Sequence, residues 1–385
     1  MIRYFLFAHG LLFFLPWAQA YPQFIGYKYS SCVTCHFNTH GNGPLNDYGR
    51  ALWASEIAGR FGASQKTAEQ LGESSGFLGS QPLPWWIRPG IKARQLWIQT
   101  NPGRDNKRHR DITMQADINT AVFLDQDQRY TFVGSWGYVP DPLRLQNSNQ
   151  DIDQWISREH YFRWQTTDSL WLSFGMMDKV YGLRHVNHTA FSRSRVGLAQ
   201  NDQAHGLVAH YIQPTWEYTL NIFAGNLNQR SELRQEGVST MFELDLKDFL
   251  RIGASALASE NESVKNQRFA IHTKYGLGMG SALLLELGLI NDEPHVSSSK
   301  KGYYMYSEAM QKVKRGYHIF VSAQAFKDDM VGTRPDTLKF GGGLLAFPRQ
   351  RWEFRIEFEN TRQINSSPLV SKDIWAILGQ LHLSL

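Results

Sequence analysis

The chain has 385 residues and a formal charge of only +5, with 40 Lys and Arg against 35 Asp and Glu. This length allows one large domain and a small one. Because it has no dense Lys or Arg tract, the sequence gives no basis for nucleic-acid binding. Phe, Trp and Tyr make up 13% of the residues, and such aromatic content with alternating polarity is typical of a transmembrane β-barrel.

Residues 1–20 predict a secretory signal peptide. Arg3 gives a positive start, residues 4–15 are apolar, and Ala18-Gln19-Ala20 fits a small-x-small cleavage site. The apolar run is shorter than the roughly 20 residues that a spanning helix needs. We therefore expect an exported protein rather than a helix-anchored one.

The sequence Cys32-Val33-Thr34-Cys35-His36 contains the only two cysteines of the chain. Two cysteines two residues apart and followed by histidine predict a c-type haem attachment site. Each thiol can form a thioether to one haem vinyl group, and the histidine can bind the iron from below. A zinc site would need a second pair of ligands, and a redox pair would not need the histidine. The prediction is one covalent haem c, held by Cys32 and Cys35 with His36 as proximal ligand.

The second axial ligand is left open by the sequence. His40 is a candidate, but four extended residues span at most about 14 Å, and a path round the haem edge would be strained. Met114, His160 and His272 are alternatives if their side chains point into the barrel, and a five-coordinate iron is another.

The segment after the motif predicts a helix over residues 45–60, because Pro44 suits a first turn and Leu45, Tyr48, Leu52 and Ile57 form an apolar stripe. Gly62 would end it. This helix would cover one face of the haem or, equally, lie as an ordinary amphipathic helix at the barrel mouth. Residues 65–81, rich in Gly and Ser, predict a linker. The expected domains are residues 21–84 and 85–385.

The remainder breaks into runs with period 2, of which residues 351–359 are the clearest, with apolar and charged side chains in strict alternation. Most of the runs approach the roughly 9–11 residues of a tilted membrane strand, and so many strands favour closure. The predicted fold is all-β: a 16-stranded antiparallel transmembrane β-barrel with a small N-terminal α-helical haem c segment. The predicted strands are 88–99, 111–124, 128–139, 152–165, 169–177, 203–212, 215–225, 237–246, 249–259, 266–275, 281–290, 302–313, 317–326, 337–346, 350–361 and 372–385.

The predicted connections alternate between long and short, as in barrels of the bacterial outer membrane. An even number of strands places both barrel ends on the periplasmic side, and the haem segment there or in the lumen. The longest connection carries Arg184, His185, His188, Arg193 and Arg195. It either folds inwards, making a cationic constriction that favours anions, or stays a solvated surface loop. His185 and His188 have the spacing of a metal-binding pair but no acidic partner nearby.

The haem motif, the Gly-rich loop after it and Pro44-Leu45-Asn46-Asp47-Tyr48-Gly49-Arg50 resemble the monohaem segment of fused cytochrome–porin proteins of bacterial outer membranes. The resemblance covers residues 21–60 by motif and the rest by layout. It implies electron transfer between a periplasmic cytochrome and an unidentified extracellular donor or acceptor, with membrane lipid around the barrel. Some members are iron oxidases, but the outer loops here are not notably acidic.

An electron-transfer protein is therefore expected rather than a substrate-converting enzyme, and no nucleophile–base constellation stands out. The alternative is a small-solute porin with a preference for anions, in which the haem segment is a plug or a sensor.

Overall fold

The structure is a computed structural model that describes residues 22–41, 43–79, 83–101, 107–138, 155–187, 189–332, 336–364 and 373–384. The predicted signal peptide and His188 lie outside the described residues.

Sixteen antiparallel strands form one closed barrel, in which each strand pairs with its sequence neighbours and β1 pairs with β16. The predicted 16-stranded antiparallel barrel with a small N-terminal helical part is confirmed, and the strand limits agree within a few residues. The strands are β1 Ile87–Thr100, β2 Arg108–Phe123, β3 Tyr130–Tyr138, β4 Trp155–Gln165, β5 Leu170–Met177, β6 Ala204–Gln213, β7 Trp216–Phe223, β8 Glu236–Lys247, β9 Leu250–Glu260, β10 Val264–Gly278, β11 Ser281–Pro294, β12 Lys300–Lys314, β13 Tyr317–Lys327, β14 Asp336–Ala346, β15 Trp352–Ile364 and β16 Asp373–Ser384.

Many polar and charged side chains are buried inside the barrel, whereas large apolar side chains are exposed on its outer face. In β15, Glu353 and Glu357 are buried in the lumen, whereas Ile356 and Phe358 are 47% and 55% exposed on the outer face. A soluble sheet buries its apolar face, so this inverted pattern is that of a barrel whose outer surface meets lipid. Closure also removes the unpaired edges that would promote aggregation.

The N-terminal segment packs into the end of the barrel that carries the short turns. Gly59 N–H donates to the carbonyl of Phe347 at 2.7 Å, and the Arg315 guanidinium donates to the carbonyl of Ala58 at 2.8 Å. Phe24 and Trp53 of this segment share one apolar core with side chains of β12, β13 and β14. The segment is therefore built onto the barrel wall.

The helices of the N-terminal segment are short and differ from the prediction. The helix begins at Asp47 because the Asn46 side chain caps it, and a π-helical turn ends it at Ile57 rather than at residue 60. Tyr48, predicted on the apolar stripe, is 51% exposed. The predicted linker contains a helix with a Thr67/Gln70 capping box. The helical elements are Pro22–Tyr27, Cys32–Thr34, Asp47–Leu52, Trp53–Ile57, Ala68–Glu73, Phe77–Gly79, Phe191–Ser194 and Ser231–Leu233.

One connection on the long-loop side is short. The connection between β9 and β10 is only residues 261–263, so the predicted alternation of long and short connections is not strict. Within the part of the chain that the structure describes, no helix is long and apolar enough to cross a membrane.

The third long connection, residues 178–203, folds into the lumen and reaches the opposite wall. Tyr181 Oη lies 3.2 Å from Tyr304 Oη, and Phe191 N–H donates to Gln324 Oε1 at 2.9 Å. The His185 ring stacks on Tyr306 with centroids 4.1 Å apart. Of the two predicted arrangements, the inward one is confirmed. We call this connection the inner loop.

Candidate functional site

An apolar cavity of about 480 Å³ lies inside the N-terminal segment, and Cys32, Cys35 and His36 all line it. Most of its remaining surface is apolar. The apolar side chains are Phe24, Leu45, Leu52, Trp53 and Ile57. The structure thus brings the three residues of the predicted attachment motif to one enclosed site.

The backbone of the motif is held in a tight turn against the following helix. The His36 N–H donates to the carbonyl of Cys32 at 3.0 Å, closing a helical turn that brings the two cysteines to one side. Asn46 connects this turn to the helix. Its Nδ2 donates to the carbonyls of Val33 and Thr34, at 3.3 and 3.1 Å, while its Oδ1 accepts from Gly49 N–H at 2.8 Å.

The residues that follow Asn46 fix the helix to the motif and to the barrel. The Asp47 carboxylate accepts a bidentate pair of hydrogen bonds from Arg88 of β1, the shortest at 2.7 Å. A Cβ on Gly49 would lie 2.5 Å from the Cys35 carbonyl oxygen, so only glycine permits this approach. The stretch Pro44–Arg50 therefore acts as the support of the cysteine motif.

The two cysteines are half-buried, in surroundings that keep their thiols neutral. Burial raises the pKa of Cys32 to about 11 and that of Cys35 to about 12. Redox exchange uses the thiolate, so these surroundings disfavour a redox pair. In addition, no group of three His, Cys, Asp or Glu side chains able to hold a metal ion occurs among the described residues.

These observations provide a test of whether the residues fit a covalently held haem. A c-type haem needs two thiols and a histidine at one apolar pocket that shields the macrocycle. The cavity supplies those three groups and apolar and aromatic walls. The residues present therefore fit the group.

The suggested distal ligands lie away from this cavity. His40 is buried, with its Nε2 3.3 Å from the Tyr181 carbonyl of the inner loop, and burial lowers its pKa to about 3. The His272 ring faces Glu243 at 2.8 Å, and the His160 ring lies 5.2 Å from that of His205. The carbonyl of Met114 accepts from Gln200. Among the described residues that line the cavity, His36 is the one His or Met.

A second cavity, of about 720 Å³, lies on the other side of His36, and this residue lines both. We call it the polar chamber. Five cationic side chains line it, against two carboxylates, Asp117 and Glu159. The cations are Lys92, Arg94, Arg158, Arg184 and Arg193.

The two cavities follow one another along the barrel. The apolar cavity is walled by Trp53, whose ring lies 4.6 Å from that of Phe347 at the short-turn end. The polar chamber is bounded by Arg184 and Arg193 of the inner loop, which connects strands at the other end. His36 thus separates an apolar compartment from a cationic one.

Sequence reasoning identified Arg184 and Arg193 but missed the chamber residues of the barrel wall. Lys92 and Arg94 lie on β1 and Arg158 on β4. The period-2 pattern of β1 could have marked Lys92 and Arg94 as sharing one face. It could not show that β1, β4 and the inner loop meet at one level of the lumen.

Comparisons with known proteins agree with the barrel. No protein-family model and no curated protein matches the sequence. Solved structures do match. An OmpT variant of Vibrio cholerae with a loop deletion gives a TM-score of 0.59 at 10% identity, covering 77% of this chain and 98% of that one. The anion-selective porin of Comamonas acidovorans gives a TM-score of 0.59 at 6% identity, and the match covers 78% of this chain and 99% of that porin. OprB of Pseudomonas putida gives a TM-score of 0.58 at 10% identity, and the match covers 78% of this chain and 94% of OprB. These similarities show that the chain has the 16-stranded barrel fold of outer-membrane porins.

Proposed function

We propose that this protein is an outer-membrane cytochrome–porin fusion that transfers electrons through one covalently attached haem c. The observation that carries the proposal is the convergence of Cys32, Cys35 and His36 on a single apolar cavity. A bound haem would supply one-electron redox chemistry at that site.

The residues of the chain have distinct roles in this proposal. The two thiols would hold the macrocycle, and His36 would bind the iron. Trp53 and the leucines of the cavity exclude water, and this burial, with the axial ligand, sets the reduction potential. Because His36 also borders the polar chamber, an outer redox partner in the lumen would come close to the haem site.

The barrel provides the location. Its apolar outer face supports insertion in the outer membrane, with the short turns and the haem segment on the periplasmic side. A periplasmic cytochrome would meet the segment there, and an extracellular donor or acceptor would approach from the long connections.

Haem attachment is tested by expressing the protein with a c-type maturation system and recording a pyridine haemochrome spectrum. We expect one haem per chain and a peroxidase-active band on a denaturing gel. Cys32→Ala/Cys35→Ala should abolish both. Ser31→Ala, which changes a neighbour that also lines the cavity, should retain both. A wild-type chain without covalent haem would refute the proposal.

The second candidate is a porin that favours anions, supported by the cationic chamber and by the similarity to a porin described as anion-selective. Planar-bilayer conductance and electron transfer into dye-loaded proteoliposomes separate the two. Electron transfer by a poorly conducting barrel favours the conduit. A steady open pore that is unchanged in Cys32→Ala/Cys35→Ala favours transport.

A further inference from the structure

We infer that the polar chamber is a binding site for a small polycarboxylate anion, free or as the ligand shell of a metal ion. If the protein transfers electrons as proposed, this anion belongs to the chemical class of the outer redox partner. Only that role as a redox partner rests on the proposed function. Binding itself depends on the chamber residues and not on the haem.

The chamber has an excess of positive charge. Arg158 and Arg184 have carboxylate partners: Arg158 Nε lies 2.7 Å from Asp117 Oδ1, and Arg184 pairs with Asp178. Lys92 and Arg193 instead donate to backbone carbonyls, Lys92 to Gly43 at 2.7 Å and Arg193 to His185 at 2.8 Å. Carbonyl partners satisfy the donors without neutralising the charge. An anion in the chamber would neutralise that charge.

These cations are buried, which increases their effect on a bound ligand. Lys92 is 6% exposed and Arg193 is 5% exposed. In such low-dielectric surroundings a charge interacts much more strongly than in water. Burial and the neighbouring Arg184 also lower the pKa of Arg193 well below its ordinary value, an effect that a bound carboxylate would reverse.

The arrangement of the cations favours an anion with several separate charges. Lys92 and Arg94 come from β1, Arg158 comes from β4, and Arg184 and Arg193 come from the inner loop. A ligand with carboxylates at two or three points can contact several of these walls at once, and guanidinium groups bind carboxylates in bidentate fashion. The space between these walls, about 720 Å³ counting the solvent at its mouth, is where such a ligand would lie.

The polar chamber lies next to the predicted haem site. His36 lines both the chamber and the apolar cavity of the cysteines. A ligand held in the chamber therefore lies beside the residue that would hold the iron, without needing to enter the apolar cavity.

The test is isothermal titration calorimetry of the detergent-purified full chain at low ionic strength, with citrate and, separately, with the redox-inert gallium(III) citrate complex. We expect saturable binding of at least one. Lys92→Gln and Arg94→Gln should each weaken it about tenfold, as loss of one charge-assisted contact predicts. Tighter binding of the gallium complex would identify a metal chelate, and tighter binding of citrate would identify the free polycarboxylate.

The matched control is Lys339→Gln, which removes a partly buried lysine of β14 that faces Glu359 and the Phe191 ring and does not line the chamber. It should leave the affinity unchanged. Cys32→Ala/Cys35→Ala should also bind normally, so failure of haem attachment and failure of anion binding are distinguishable. No saturable binding, or equal weakening by all three lysine and arginine variants, would overturn the inference. Heat-modifiable gel mobility verifies that each variant is folded.

Discussion

Asn46 is the residue whose replacement should loosen the cysteine motif most selectively. Its Oδ1 caps the helix Asp47–Leu52, and its Nδ2 donates to Val33 and Thr34 in the motif. Loss of an N-cap costs about 1 kcal/mol, and each of the two hydrogen bonds contributes about 0.5–1.5 kcal/mol. Asn46→Ala should therefore lower the local opening free energy of this region by about 2–4 kcal/mol.

The measurement is native-state hydrogen exchange of peptides covering residues 32–52, compared with peptides from the barrel strands. Asn46→Ser is the matched control, since serine still caps the helix but is too short to reach both carbonyls. It should lose only the part due to the two hydrogen bonds to the motif, about 1–3 kcal/mol. Exchange in the barrel strands should not change. If Asn46→Ala leaves the opening free energy of residues 32–52 within about 0.5 kcal/mol of wild type, the support assigned to Asn46 is wrong.

Three further predictions concern the lumen and the N-terminal segment. Arg251→Met should destabilise the barrel by about 3–5 kcal/mol in urea unfolding, because Arg251 lies within 3.1 Å of Glu217, Glu243 and Asp245. Arg230→Met, at an exposed pair with Glu232, should cost under about 1 kcal/mol, and equal effects would contradict the burial argument. Gly26→Ala should undock the segment in limited proteolysis, since a Cβ there would lie 2.3 Å from the backbone carbonyl oxygen of Ser281 in β11; Gly62→Ala, with φ +68° and nothing within 4 Å, should cost only the left-handed penalty of about 1–2 kcal/mol. Because the His40 pKa is lowered from 6.5 to about 3, its contribution to docking is complete above pH 6.5 and is lost as the pH falls towards 3. Hydrogen exchange of the segment should show about 2 kcal/mol less protection at pH 5 than at pH 7, and His40→Gln should remove most of that difference.

The barrel was predictable from the sequence because each strand carries its own signal. In β15, for example, the alternation of charged and apolar residues fixes both the strand and its two faces. The helix limits were missed because the prediction rested on an apolar stripe and ignored Asn46 as a cap. The helix Ala68–Glu73 had a readable signal in Thr67 and Gln70, a capping box inside a stretch that composition alone assigned to a linker.

The inner loop and the polar chamber were beyond local patterns. The contact between Tyr181 and Tyr304 joins residues 123 positions apart, so nothing in the loop itself shows that it turns inwards. The chamber likewise combines β1, β4 and the inner loop. Contacts between residues far apart in the sequence set these positions, and the local periodicity of the sequence does not predict such contacts.

The proposed conduit faces a problem of distance, since one haem cannot by itself span an apolar band about 25 Å tall. The haem must lie deep in the barrel, or its partner must enter the lumen. The two cavities answer both requirements, because the apolar one continues from the short-turn end to His36 and the polar one begins at His36. Arg184 and Arg193 of the inner loop line the chamber, so a partner that enters it is favoured if it is anionic. A protein donor would instead meet the short-turn end, where the N-terminal segment packs against the turns of the barrel.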